Sequence, residues 1–285
     1  MSTKPIPSIF VRFPNGRAKA LTFSYDDGML NDVRLVELFN KYNLKGTFNI
    51  STSKYLSEEA AYKENSIWNY MKKSDVTKLF ADSAHEVAIH GYSHPFLATL
   101  PPAAIAHEIL NDRETLEEQF GKVVRGMAYP KGSYDDKVVD VLKACGILYA
   151  RTINDTEDFD IPTDWLRLPA TCHHNNKNLM SLANKFVNMK IREHSQLFYL
   201  WGHTYEFYEN NNWNVIEEFC EFMSCREDEI WYATNIEIFE YLEAFNRLIF
   251  SADLSIVKNP TARKLWFSLG TTPFSIDAGE TIRLN

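Results

Sequence analysis

No apolar run in this chain of 285 residues is long enough to span a bilayer, so a helical membrane protein is excluded. Basic residues are outnumbered, 30 Lys and Arg against 38 Asp and Glu, and they form no basic face; nucleic acid is therefore not an expected partner. Cysteines are few, and Cys145, Cys172, Cys220 and Cys225 show neither CxxC nor zinc-finger spacing. Neither a structural metal knot nor a disulfide framework is expected, which fits a reducing compartment. Internal repeats and low-complexity tracts are missing too, which excludes a solenoid. The opening stretch MSTKPIPSIFVRFPNGRAK has no apolar core of a signal peptide, so the expected location is the cytoplasm. What remains is 45% hydrophobic and carries a net charge of −8: enough for one large barrel or two modest domains.

Short apolar runs alternate with longer amphipathic ones. Strands are predicted over 20–25, 46–50, 86–90, 123–129, 148–152, 197–201 and 230–233. Helices are predicted near 30–42, 73–83, 103–120, 135–144, 179–193, 215–223 and 236–245, with Gly121 and Gly146 as stops. Strand alternating with helix implies a parallel sheet. About seven such units predict an α/β fold, a distorted or incomplete (β/α) barrel spanning 1–250; an open doubly wound sheet is the alternative. Beyond residue 250 the helical period disappears, and 251–285 reads as a small β appendage packed on the barrel. Residues 51–72 form a polar and aromatic insertion, a lid or groove wall.

Chemistry concentrates where strands end. In SYDDGM, Asp26 and Asp27 close the first apolar run at Gly28. They read either as a polar strand end leading into a helix cap or as paired working carboxylates. In HEVAIHGYSHP, His90 and His94 follow another strand end, and His-x-x-x-His spacing can hold a transition metal. His203 follows a third strand in FYLWGHTYEF. Tyr129, Pro130, Lys131 and Gly132 make a sharp turn after a fourth, able to aim a backbone N–H at an oxyanion. In (β/α) barrels the chemistry gathers at these C-terminal strand ends.

Taken in order, Asp-Asp-Gly, His-x-x-x-His-Pro, Tyr-Pro-x-Gly and a late His resemble the polysaccharide deacetylases of carbohydrate esterase family four, the nodulation-factor deacetylase homology domain, over roughly residues 18–205. The resemblance implies Asp26 as general base, Asp27, His90 and His94 as metal ligands, and His203 as the acid that protonates the leaving amine. It implies one divalent transition metal, zinc first, with cobalt, nickel or iron suited to the same donors. It further implies an oxyanion contact from the Lys131 N–H. Trp165 and Leu200 become candidates for the acetyl pocket, and Asp164 for orienting His203; core packing is the other reading of Trp165 and Leu200.

One position departs from the pattern. The family's third motif begins with an arginine that pairs with the base, and here that position is Ala128. Arg167 is the candidate to reach in from a neighbouring loop. His173 and His174 form a further polar pair, assigned either to the site rim or to a surface loop. The expected activity is metal-dependent removal of acetyl groups from N-acetylated, or O-acetylated, sugars, oligosaccharides or polysaccharides. The alternatives are hydrolysis of a non-sugar amide and a non-catalytic carbohydrate-binding relative, the latter in keeping with 14% aromatic residues.

Overall fold

The computed structural model describes residues 7–64 and 66–284; residues 1–6, at the head of the stretch read as lacking a leader, lie outside them. The strands are β1 (Ile9–Arg12), β2 (Lys19–Asp26), β3 (Thr47–Ile50), β4 (Glu86–Ile89), β5 (Gly126–Ala128), β6 (Tyr149–Asp155), β7 (Leu168–Ala170), β8 (Cys172–His173), β9 (Gln196–His203), β10 (Ile230–Tyr232), β11 (Ile249–Phe250), β12 (Ile256–Lys258), β13 (Leu265–Leu269), β14 (Thr272–Ile276) and β15 (Thr281–Arg283). The helices are α1 (Asp32–Lys41), α2 (Lys73–Phe80), α3 (Pro102–Phe120), α4 (Asp136–Ala144), α5 (Leu179–Asn188), α6 (Thr204–Glu209), α7 (Trp213–Met223) and α8 (Asn235–Asn246). No helix among the described residues is long and apolar enough to cross a membrane.

Parallel ladders run β6–β5–β4–β3–β2–β9. Residues 168–173 lie between the two ends of that series: β7 pairs with β6 and β8 with β9, and the chain changes partner at Thr171, whose N–H donates to Tyr199 O at 2.8 Å. A second irregularity lies on the other edge of β2, where β10 pairs with Lys19–Leu21 and β3 only with Ser24–Asp26. The result is a distorted, incompletely closed (β/α) barrel.

Alternation along β2 sets the layers. Leu21, Phe23 and Tyr25 join the core beneath the helices, together with Leu35, Val36 and Phe39 of α1 and Ile216, Phe219, Cys220 and Met223 of α7. The intervening Thr22, Ser24 and Asp26 meet polar partners instead, Asn235, Arg151 and Asn49 among them. The barrel interior is thus hydrogen-bonded as well as packed, and each buried polar group there has a reason to be held in place.

The C-terminal segment is β-structured, as its pattern predicts, in two antiparallel sheets, β11–β12–β15 and β1–β13–β14. The first strand of the chain is therefore the partner of β13. The 168–173 strand pair answers only to a short strand read before His173 and His174, and α6 has no counterpart in the sequence reading. Both are short, and Pro169 interrupts the first.

Candidate metal centre and active site

Asp26 ends β2 with its side chain on the interior, and the next residue reverses that order. Asp27 has φ +81° and Gly28 φ +66°, so the chain leaves the extended conformation at the residue where a regular strand would turn Asp27 outward. Both carboxylates consequently face one rim. His94 (φ +60°) and Lys131 (φ +56°) are also left-handed, a conformation costly for non-glycine residues and concentrated at functional sites.

Asp27 Oδ1 lies 3.6 Å from His90 Nε2 and 3.5 Å from His94 Nε2, and the two imidazole centroids are 4.8 Å apart. Donors about 2.0–2.1 Å from a tetrahedral zinc stand roughly 3.3 Å from one another, so these separations match a set of metal ligands. The tautomer fits as well. His90 Nδ1–H donates to Ala128 O at 2.9 Å, which leaves the Nε2 lone pair facing Asp27. Burial, with His90, Lys131 and Lys54 nearby, lowers the His94 pKa to about 3, so its imidazole is neutral as a ligand must be. Helix α3 fixes the backbone of this loop. Asp112 accepts the His90 N–H at 3.0 Å, and Glu108 accepts Ser93 N–H and Oγ–H at 2.7 and 2.8 Å.

Asp26 is held differently. Arg151, buried on β6, donates through Nη2 to both of its oxygens, and Asn49 Nδ2 donates to Oδ1 at 2.9 Å. Burial alone would raise the Asp26 pKa; Arg151, His90 and His203 overcome it and hold it at about 2. Arg151 sits beside Ala128 in the β5–β6 register, so the cation missing from the third motif is supplied from the adjacent strand. Arg167 does not reach Asp26. It pairs at the protein surface with Asp136 and, at 2.8 Å, with Asp164, whose other oxygen caps the Leu166 N–H. Asp164 is thereby committed away from His203 as well.

His203 Nε2 stands 3.8 Å from Asp26 Oδ2, and its Nδ1 lies 3.3 Å from Glu206 Oε1, one helical turn on in α6. Burial would lower the His203 pKa, but Glu206 and Asp26 outweigh it and the net shift is upward. Glu206 also meets His173 Nε2 at 3.1 Å and His174 Nε2 at 3.0 Å. Its own burial works against ionisation, yet the three imidazoles hold its pKa well below the carboxylate range. His173, His203 and Glu206 are close enough to be considered as a second metal set. The tautomer argues against it: His173 Nδ1 accepts the Asn175 N–H at 3.1 Å, so the proton resides on Nε2, facing Glu206. His174 is fully buried between Tyr25 and Phe207, and its ring occupies the space above Gly202, where a Cβ would come within 2.0 Å of Nδ1. His173 and His174 therefore stand behind His203 at the rim.

The cavity over these groups, about 470 Å³, is lined among others by Tyr129, Lys131, Ile153, Trp201 and Tyr205. Tyr129 is pinned by donation from its hydroxyl to Leu166 O at 2.7 Å, and Pro130 is buried beneath the turn. Among the described residues the Lys131 N–H has no hydrogen-bond acceptor. Two expected pocket residues lie elsewhere. Leu200 alternates with Tyr199 and Trp201 and points into the core beneath the helices. Trp165 packs edge-on against Phe239 of α8, centroids 5.2 Å apart. Trp201 does line the cavity, fixed by Nε1–H donation to Asp155 Oδ1 at 2.7 Å and by the Arg151 guanidinium over its ring.

Arg151, Glu206 and Trp201 are absent from the sequence reading. A lone cation inside the apolar run YARTIND and an acidic residue three positions after His203 were the available signals.

Comparison with known proteins gives a family match and likenesses of fold. The polysaccharide deacetylase family model matches residues 14–150, the segment that carries Asp26, Asp27, His90, His94 and the 129–132 turn. A candidate polysaccharide deacetylase from Mycobacterium smegmatis has a TM-score of 0.61 at 18% identity, covering 84% of this chain and 95% of that one. The Xyl-CE4 domain of a multidomain xylanase from the hindgut metagenome of Trinervitermes trinervoides has a TM-score of 0.50 at 14% identity, with 79% and 92% covered. At such identities the likeness concerns the fold. YlxY of Bacillus subtilis strain 168, an uncharacterised protein, is 23% identical over 108 residues, 38% of this chain; the match spans 29% of that relative's length.

Proposed function

We propose, from the premise that residues 14–150 place this chain with the polysaccharide deacetylases, that it is a metal-dependent hydrolase removing acetyl groups from N-acetylated sugars. One observation carries the reading. An ionised Asp26 braced by Arg151, an imidazole and carboxylate trio with ligand spacing, and a carboxylate-backed His203 meet on one rim.

Asp27, His90 and His94 would hold the metal, with zinc the first candidate and cobalt, nickel or iron compatible. When bound, it supplies Lewis acidity to the amide carbonyl and raises the acidity of the attacking water. Asp26 accepts that water's proton. Its pairing with Arg151 keeps it ionised and fixed in direction, so its contribution is one of position. The Lys131 N–H, free of other acceptors, donates to the oxygen that gains negative charge as water adds. The C–N bond then breaks, acetate departs, and the amine takes the proton from His203 Nε2. The Glu206 carboxylate, 3.3 Å from Nδ1 on the other side of that ring, favours the protonated form that donates. Acid–base assistance of this kind contributes ~10²–10⁴-fold.

The test is acetate release from chitooligosaccharides and acetylated xylan by the purified protein, with and without added zinc, cobalt or nickel. Metal-dependent release is expected. No release from either substrate with any metal would overturn the assignment.

A further inference from the structure

His173 and His174 take no part in the hydrolytic steps, yet each turns a ring nitrogen toward the carboxylate that backs the acid. The chain brings them there by changing partner at Thr171. Strand β8 then runs parallel to β9, with Cys172 and His173 in register with Leu200 and Trp201, and His174 N–H donates to Trp201 O at 2.9 Å. Two imidazoles at one short strand end therefore lie beside the end of the strand that carries His203.

Neither ring is free to turn away. His173 donates its backbone N–H to Asp155 Oδ2 at 2.8 Å, its Nδ1 accepts the Asn175 N–H, and its ring stands edge-on to Trp201 with centroids 4.6 Å apart. His174 is stacked between Tyr25 and Phe207. Burial lowers its pKa to about 4, so at neutral pH the ring carries a single proton. A lone pair facing a carboxylate at 3.0 Å would be repelled, so that proton sits on Nε2, toward Glu206. His174 Nδ1 is then left buried without a hydrogen-bond partner among the described residues, which costs stability. Packing alone would favour an apolar side chain in that slot; a fixed proton donor to Glu206 requires the imidazole.

We propose that His173 and His174 are positioning residues for protonation of the leaving amine. They act through Glu206. Two fixed nitrogens meet its Oε2 at 3.1 and 3.0 Å, and this keeps Oε1 3.3 Å from His203 Nδ1. Without them the carboxylate, at the rim on the six-residue α6, turns to water. The proposal rests on the reading of His203 as the acid. The groups facing His203 are Asp26 and Asp27 at the end of β2, Tyr205 and Glu206 of α6, and the two histidines at the end of β8. Glu206 is the one that touches both histidines. If it leaves, His203 loses a negative neighbour and titrates at lower pH. If it stays, the midpoint holds or rises, because an N–H that tempered its charge is gone.

The variants are His173→Leu and His174→Leu, with His173→Gln and His174→Gln as conservative replacements whose amide N–H can stand in for Nε2–H. Ring NMR of the protein as purified gives the His203 midpoint. Initial rates with zinc compare chitotetraose with an activated acetate ester. Circular dichroism and thermal unfolding establish that the variants fold, and His173→Leu, at the half-buried rim, decides the matter should His174→Leu unfold. The leucine variants should lower the His203 midpoint and cut amide kcat about tenfold, the rate equivalent of one contact to a charged group, with KM little changed and the ester spared. A glutamine variant should recover part of the loss. A midpoint unmoved or raised in His173→Leu, equal losses on amide and ester, or no recovery in either glutamine variant overturns the proposal. Acetate release by wild type is scored separately. Release with an unmoved midpoint removes the positioning role alone; a lowered midpoint without release by wild type removes the hydrolase reading alone.

Discussion

Arg151 donates to both carboxylate oxygens of Asp26 from β6, the strand beside the one in which Ala128 offers no side chain to do so. The pair is buried, and its removal has two consequences with separate readouts. Breaking a buried pair from one side costs about 3–5 kcal/mol, so Arg151→Gln should lower the unfolding temperature, and adding Asp26→Asn should restore part of it. Losing the cation also raises the Asp26 pKa from about 2 by roughly 1–3 units. A base must be deprotonated, so the acid limb of the pH–rate profile should move upward by that amount. An unmoved limb would show that Arg151 does not tune the base.

Glu206 is expected to act through His203. With its carboxylate gone, the raised His203 pKa falls, and the protonated acid is lost at lower pH. Glu206→Gln should therefore shift the basic limb downward and reduce amide turnover by up to ~10²-fold. An activated acetate ester, whose leaving group needs no proton, should be hurt less. Equal losses on amide and ester would contradict this role.

At the opposite ends of the strands a different carboxylate predicts a stability profile. Glu86 accepts from Tyr149 Oη at 2.7 Å, Thr47 Oγ1 at 2.9 Å and Ile236 N at 2.9 Å, and burial raises its pKa from 4.5 to about 7. Between those values the folded state keeps a proton that the unfolded chain has released, so rising pH favours unfolding. Glu86 alone should reduce stability by up to about 3 kcal/mol across that window. Thermal unfolding from pH 4.5 to 7.5 should show the decline, and Glu86→Gln should flatten it. Parallel curves for the two proteins would refute the assignment.

Periodicity made the barrel legible: each of the seven predicted strands and seven predicted helices has a counterpart, because alternating burial along β2 or β9 writes itself into the residues. Only a single short strand before His173 was legible in 168–173, since strands of three and two residues, with Pro169 in the first, leave no period to read. At the site, Asp26, Asp27, His90, His94 and His203 were legible as polar residues at strand ends. Arg151 and Trp201 were not, because their partners Asp26 and Asp155 lie on other strands; Glu206 stands one helical turn after His203, but its other partners, His173 and His174, come from a separate strand end. The same geometry diverted Trp165 and Leu200 to packing and left Asp164 and Arg167 satisfied by each other at the surface.

The central claim, that Asp27, His90 and His94 hold a metal on which deacetylation depends, is met most directly by one titration. The protein is stripped with a chelator, zinc is returned in measured steps, and bound metal and acetate released from chitotetraose are recorded together. The account predicts a folded but silent stripped protein, activity rising to a plateau near one equivalent, and neither binding nor activity in Asp27→Ala. Undiminished acetate release from the stripped protein, or full recovery in Asp27→Ala, would contradict it.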